Sequence, residues 1–390
     1  MGLTTTGALT FFWIGVAWLA YVYVGYPLLL CLIASFRRIR PVLREDYEPR
    51  VSVLISARNE EQDIGWKVTE TLAWDYAPGK LEVLVASDAS EDRTDEILAA
   101  VLDSRLRWIR MERRGGKARA LNRLSELATG ELLFFTDANA EIGPDCLRRL
   151  VRHFADPRVG CVTGDSSPRP TGPIGAGAGA YWTYEAVIKL MENRLGSVLV
   201  CDGAIFMLRR SLFTPLLPEL ANDLESPLRA AAAGYWTLRE PQAIVMEDDT
   251  TSPGQEFQRR RRIVAQGALG MWRLWSGFDS LHRFEFASHK LLRWLGLIPM
   301  AMILASTAVL TNLPIFRALL VLQAAFYTMA LGGALAKSPV SVLAIPFYVV
   351  LGSVGAMTGV LDSLRGRRYD VWEIPTLSRG IGALRGADSQ

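Results

Sequence analysis

The chain has 390 residues, half of them apolar and 21% charged, and its 43 Lys/Arg against 40 Asp/Glu leave a net charge of +3. Its mean hydropathy is positive. This balance excludes a disordered chain, leans toward membrane attachment and leaves too little net charge to argue a nucleic-acid partner. Cys31, Cys146, Cys161 and Cys201 are scattered without a CxxC pair, which suggests buried free thiols rather than a zinc site or a disulfide framework.

No charged side chain occurs from Met1 to Phe36. About 20 residues at a rise of about 1.5 Å each cross the hydrocarbon layer, so residues 1–40 read as a spanning helix and its flank. The first basic residues, Arg37, Arg38 and Arg40, follow the apolar run, whereas a cleavable signal peptide has them in front. The positive-inside rule then puts the N-terminus outside and the following chain in the cytoplasm.

Residues 47–250 alternate short β-rich runs with helical patterns. Strands are expected at 51–56, 81–87, 106–111 and 131–136, with helices over 61–73, 93–102, 117–127 and 144–154. Such alternation argues an α/β domain with a mainly parallel sheet, whose ligands bind beyond the carboxyl ends of the strands. Those ends are polar: Ala57-Arg58-Asn59-Glu60-Glu61 after the first, Asp88-Ala89-Ser90-Glu91-Asp92-Arg93-Thr94 after the second, and Asp137-Ala138-Asn139 after the fourth. Helix capping is one of two readings of Asp92 or Thr94, a ligand contact being the other, but it does not explain an acid directly after two strands. Gly115-Gly116-Lys117 opens a helix, and helix amides beside a lysine suit a phosphate.

Further along, Gly164 to Gly179 reads as a flexible Gly/Pro-rich loop, and Asn222-Asp223-Leu224-Glu225 opens a helical run where an acid favours the macrodipole. Residues 251–290 carry Gln258-Arg259-Arg260-Arg261-Arg262, which suits anionic lipid, and an aromatic stretch over 267–289 that suits amphipathic helices at a bilayer interface. Within 291–363, three uncharged runs at 294–316, 318–336 and 338–361 are each long enough to span, and 364–390 forms a basic tail. Three crossings after a cytoplasmic domain would put Arg365, Arg367 and Arg368 outside, against the charge rule, unless one run is re-entrant.

SARNEE, SDASEDRT, GGKARALN, TDAN, NDLESPLR and QRRRR, in this order inside a membrane frame, resemble the membrane-bound branch of the family 2 glycosyltransferases, which includes cellulose- and hyaluronan-synthase-like enzymes. The resemblance covers almost the whole chain. It implies a GT-A fold with transmembrane helices, a nucleotide diphosphate sugar donor, a UDP-sugar first among them, and a divalent cation, Mg²⁺ or Mn²⁺. By position, Ala57 and Glu60 would line the nucleoside pocket, Asp88 would contact base or ribose, and Lys117 would lie near the nucleotide. Asp137 and Asn139 occupy the metal motif, where Asn139 departs from the usual second aspartate and weakens the site by one charge. Asp223 falls on the catalytic aspartate, with Glu225 in reserve and Glu247-Asp248-Asp249 more distant. Gln258 and Arg261 match the Gln-x-x-Arg-Trp motif of processive members, and Arg262 stands at the acceptor-stacking tryptophan.

The resemblance thus implies an inverting transferase of an integral membrane protein, in a bacterial inner membrane with its catalytic domain cytoplasmic. It would pass sugar to a polysaccharide or lipid-linked acceptor, with membrane lipids as further partners and no nucleic acid. The absent tryptophan favours short products on a lipid. A membrane scaffold with a decayed site is the reading that Asn139 and Asn222 would support.

Overall fold

The computed structural model describes residues 3–168, 175–247, 252–336 and 341–369. It opens with α1 (Leu3–Ala20), a π-helical stretch Tyr21–Gly25 and α2 (Tyr26–Phe36), which run on as one apolar rod. The soluble core follows as β1 (Val51–Ala57), α3 (Ile64–Leu72), β2 (Leu81–Ser87), α4 (Thr94–Ala100), β3 (Leu106–Arg110), α5 (Lys117–Leu127), β4 (Leu132–Asp137), β5 (Glu141–Ile142) and α6 (Cys146–Val151). Next come β6 (Val159–Pro168), α7 (Gly175–Leu195), β7 (Phe206–Arg209), α8 (Asn222–Ala232) and β8 (Trp236–Glu247). The chain ends in α9 (Pro253–Leu274), α10 (Ser280–Glu285), a π-helical stretch Phe286–Leu291, α11 (Leu292–Trp294), α12 (Leu297–Val309), α13 (Pro314–Leu335) and α14 (Ser341–Leu364).

The eight strands form one sheet in the order β3-β2-β1-β4-β7-β6-β8-β5. β3, β2, β1 and β4 are parallel, as are β6 and β8, while β7 runs against both β4 and β6 and β5 runs against β8. The central strands are buried on both faces, which is why they read as continuous apolar runs. Alternate residues divide two cores. Val53, Ile55, Val83, Val85 and Phe134 join α3 and α6 residues on one side, and Leu54, Leu84, Leu133 and Phe135 join α5 residues on the other. The register decides function: Ala57 lies opposite Ser87, and Ser56 opposite Asp137, so the residues leaving β1, β2 and β4 emerge at one edge.

The segment expected as a loop from Gly164 to Gly179 is mostly regular. Residues 164–168 extend β6, whose long pairing with β8 captures them, and residues 175–179 begin α7, while 169–174 lie outside the described residues. Among the described residues, three helices are long and apolar enough to cross a membrane: Thr4–Phe36, Pro314–Leu335 and Val342–Leu364. The expected run at 294–316 is different. Its helix α12 has 13 residues, about 20 Å at 1.5 Å per residue, and joins Ser280–Trp294 at a bend of 52°. A polar seam joins the second π-helical stretch to α7, through Glu192 Oε1 and His289 Nδ1 at 2.7 Å, and to the first, through Tyr21 Oη and Ser288 Oγ at 2.8 Å.

Candidate active site

The edge beyond β1 and β2 is stiffened by its own side chains. Arg58 donates to the carbonyls of Asp88 (2.8 Å) and Ala89 (2.6 Å), and the Ala57 carbonyl accepts the Asp88 amide at 2.8 Å. Asn59 and Ala89 both have φ of +53°, a left-handed conformation that costs a non-glycine residue and marks functional turns. Glu60 lies beside them, its amide donating to Thr94 Oγ1 at 2.8 Å, and with Asn59, Glu61, Gln62, Asp63, Glu91 and Asp92 it lines an open cleft of about 170 Å³.

Asp88 is buried, and its two carboxylate oxygens accept the amides of Gly115 (2.6 Å) and Gly116 (2.8 Å). It therefore fixes the glycine loop. Gly116, at φ +82°, takes a conformation that suits glycine and aims α5 at the site. From the first residue of α5, the Lys117 ammonium reaches Asp137 Oδ1 at 2.5 Å and approaches the Gly203 carbonyl at 3.4 Å. Asn139 sits half-buried in the turn after Asp137.

Opposite stands α8. A Cβ added to Gly203 would lie 3.3 Å from Asp223 Oδ2, so the backbone of the 201–204 loop passes directly beside that carboxylate. Burial raises the Asp223 carboxyl above the ordinary aspartate value; Asp137 adds to the rise, and Lys117 and Arg262 oppose it. Asp202 is raised for the same first reason, with Asp223 and Asp137 adding repulsion. Glu225 is turned away, held by the Leu217 amide at 3.0 Å and by Arg229 at 2.6 Å.

The last contribution comes from α9. Arg262 and Arg273 are about three turns apart on one face, and Arg273 pairs with Glu219 just ahead of α8 at 2.6 Å. Burial, then Arg259, lower the Arg262 guanidinium from its ordinary value, while Asp223 and Asp137 push it back up. One residue away, roughly 100° round the helix, Arg261 points to a different side and clasps Asp362 at 2.5 and 3.0 Å. Gln258 is exposed.

Asp137 offers one partly exposed carboxylate that already holds a cation, the Lys117 ammonium. Among the described residues no group of three or more His, Cys, Asp or Glu is arranged to hold a metal by itself. Asp137 and Asn139 both carry hard oxygen atoms and are the residues that could hold a divalent cation, which would take its remaining oxygens from a substrate's phosphates.

Residues 52–217 match the family described as Glycosyl transferase family 2. This chain carries a family 2 glycosyltransferase domain. The beta-monoglucosyldiacylglycerol synthase of Synechocystis sp. is 30% identical over 174 residues, 42% of this chain and 36% of that protein. The N-acetylglucosaminyltransferase of Rhizobium meliloti is 26% identical over 232 residues, 54% of each chain. The chain therefore spans about half, or less, of the curated relatives it matches. A mannosyltransferase from Pyrobaculum calidifontis, solved in complex with GDP-Man and Mn²⁺, superposes with a TM-score of 0.70 at 24% identity, over 92% of this chain and all of that one. That likeness shows the fold to be GT-A.

The structure gathers Asp137 and Lys117 of the matched domain, with Asp223 and Arg262 from α8 and α9 beyond it, around one edge, with Ala57, Glu60 and Asp88 beside them. It does not bring Arg261 there, although the motif spacing pointed to that residue. In the sequence Arg58 stands out only as part of the polar end of β1, and no motif there points to Asp202 or Gly203. Asp202-Gly203 lies in a loop without periodicity, and its one signal is an acid-glycine pair just ahead of the short apolar strand β7. Glu247 closes β8, and Asp248 and Asp249 lie outside the described residues.

Proposed function

We propose that the protein is a membrane-attached inverting glycosyltransferase that moves a sugar from a nucleoside diphosphate donor to a lipid-borne or glycan acceptor at the cytoplasmic face. One observation carries the reading: Asp223, a carboxylate whose proton affinity is raised by burial, lies within electrostatic reach of Asp137 and of two cations, Lys117 and Arg262. Breaking a sugar–diphosphate bond places negative charge on the leaving group, and pre-organised cations in a water-poor site stabilise it. Lys117 and Arg262 take that part. A divalent cation held by Asp137, Asn139 and the donor phosphates would supply further positive charge against the leaving oxygen.

Asp223 accepts the proton of the acceptor hydroxyl as that oxygen attacks the anomeric carbon, and a single displacement inverts its configuration. Its raised proton affinity makes it a better base than an ordinary aspartate. Glu60 and the cleft beside it receive the nucleoside, on a base of Ala57 and the Asp88-pinned glycine loop. Arg262, not Arg261, is the arginine assigned to the diphosphate.

A lipid acceptor with short products is the finer reading. It is supported by the charge of Arg262, which faces the acids where processive relatives place a stacking indole, and by the Synechocystis relative named as a diacylglycerol-based synthase.

The test is release of nucleoside diphosphate by the purified full chain in lipid nanodiscs, with GDP-mannose, UDP-glucose and UDP-N-acetylglucosamine. Release with one donor, dependent on Mn²⁺ or Mg²⁺ and abolished by chelator, is expected. No release with any donor in the presence of bacterial lipid extract would overturn the reading.

A further inference from the structure

Behind the Asp137 turn lies a largely buried ion pair that the proposed chemistry does not use. Lys67, on α3, is wholly buried. Its ammonium donates to the Ala140 carbonyl at 2.7 Å and to Glu70 Oε2 at 3.2 Å, and stands 5.6 Å over the Trp74 ring. The other oxygen of Glu70 accepts the Ile142 amide at 2.8 Å. One turn of α3 thus grips the chain on both sides of Glu141, directly after Asp137-Ala138-Asn139.

The pair is a poor device for stability. Desolvation lowers Lys67 and raises Glu70, so burial works against both charges, and apolar replacements of buried pairs are often neutral or stabilising. What it does supply is position. The Ala140 carbonyl and the Ile142 amide each have one assigned charged partner, which fixes the exit of the turn that presents Asp137 and Asn139. Side chains that orient ligating groups from behind typically govern metal affinity by about 10–100-fold.

We propose that Lys67 and Glu70 are positioning residues that hold the Asp137–Ile142 turn in the geometry needed for the metal-bound diphosphate of the donor. The proposal rests on the donor reading above. Neither residue touches substrate; both act through the backbone of the turn.

The test is the double variant Lys67→Met/Glu70→Met in the full chain, which removes both charges together and strands neither. Three readouts are compared with the parent: melting temperature, Mn²⁺ concentration for half-maximal binding of whichever of GDP-mannose, UDP-glucose and UDP-N-acetylglucosamine the parent binds most tightly, and amide exchange over residues 137–142 without metal. The expected result is a parent-like melting temperature, faster exchange confined to the turn, and a half-saturating Mn²⁺ concentration raised about 10-fold or more at unchanged limiting donor binding. Parent-like Mn²⁺ dependence and exchange would overturn the proposal. So would failure of the double variant to fold, because the pair would then be a structural necessity. If the parent's own donor binding ignores Mn²⁺, the donor reading fails instead, and exchange over the turn still decides whether the pair holds it.

Discussion

Asp223 owes its character to neighbours of both signs. Burial raises its proton affinity first, Asp137 adds to it, and Lys117 and Arg262 hold it down. A base works deprotonated, so kcat/KM should fall as pH drops through this raised value, above the range of an ordinary aspartate. Removing an opposing cation raises the value further. Arg262→Gln should therefore shift the acid limb of the pH profile to higher pH, and an unshifted limb would place Arg262 away from Asp223. The same residue should matter for rate: loss of one pre-organised donor to the leaving group costs roughly 100- to 1000-fold in kcat. Arg262→Gln is expected in that range, whereas Arg261→Lys should keep most activity, since its partner is Asp362. Steady-state kinetics of the two variants side by side check the assignment.

The difference between Arg261 and Arg262 also shows where sequence runs out. A run of arginines on a helix has four directions, and which of them meets the site depends on where α8 and α14 pack, a tertiary fact. Motif spacing alone favoured Arg261. By contrast, the acids after β1, β2 and β4 were legible, because parallel strands buried on both faces announce themselves as apolar runs and the register then carries their ends to one edge. Lys117–Leu127 was legible to the residue, with a double glycine ahead of it. The half of the sheet built from β6, β7 and β8 was not, since its strands mix glycine, arginine and polar residues and gain their structure from pairing with one another.

At the scale of elements, α9 connects the candidate site to the apolar helices. One face carries Arg262 and Arg273 toward α8, and another carries Arg261 to Asp362 near the end of α14. Tyr369 donates a further bond to Asp362 at 2.5 Å. The three groups form a latch that sets the position of Arg262 indirectly. Asp362→Ala should destabilise the fold by about 1.5–3 kcal/mol, the usual worth of hydrogen bonds to a charged group. The exchange Arg261→Asp with Asp362→Arg should recover much of that loss. Thermal unfolding of the single and double variants in one detergent checks it, and a double variant no more stable than the sum of the singles would deny the latch.

Across the whole molecule, a re-entrant α12 would remove the conflict of charges at the C-terminus. Alone it is too short for a hydrocarbon core of about 30 Å, and the 52° bend before it suits a re-entrant segment. Three crossings, at Thr4–Phe36, Pro314–Leu335 and Val342–Leu364, would then return Arg365, Arg367 and Arg368 to the side of the transferase domain, as the positive-inside rule asks. Single cysteines placed at Gly79 and at Arg368 should be labelled by a membrane-impermeant thiol reagent from the same side of sealed vesicles. Labelling from opposite sides would make α12 part of a fourth span.

The central claim is sugar transfer with Asp223 as the base, and the most direct measurement pairs donor affinity with transfer rate in Asp223→Asn. The amide keeps the shape and removes the proton acceptor. Donor affinity within a few-fold of the parent, with transfer slowed about 100-fold or more, is the predicted result. Transfer at the parental rate would contradict the account.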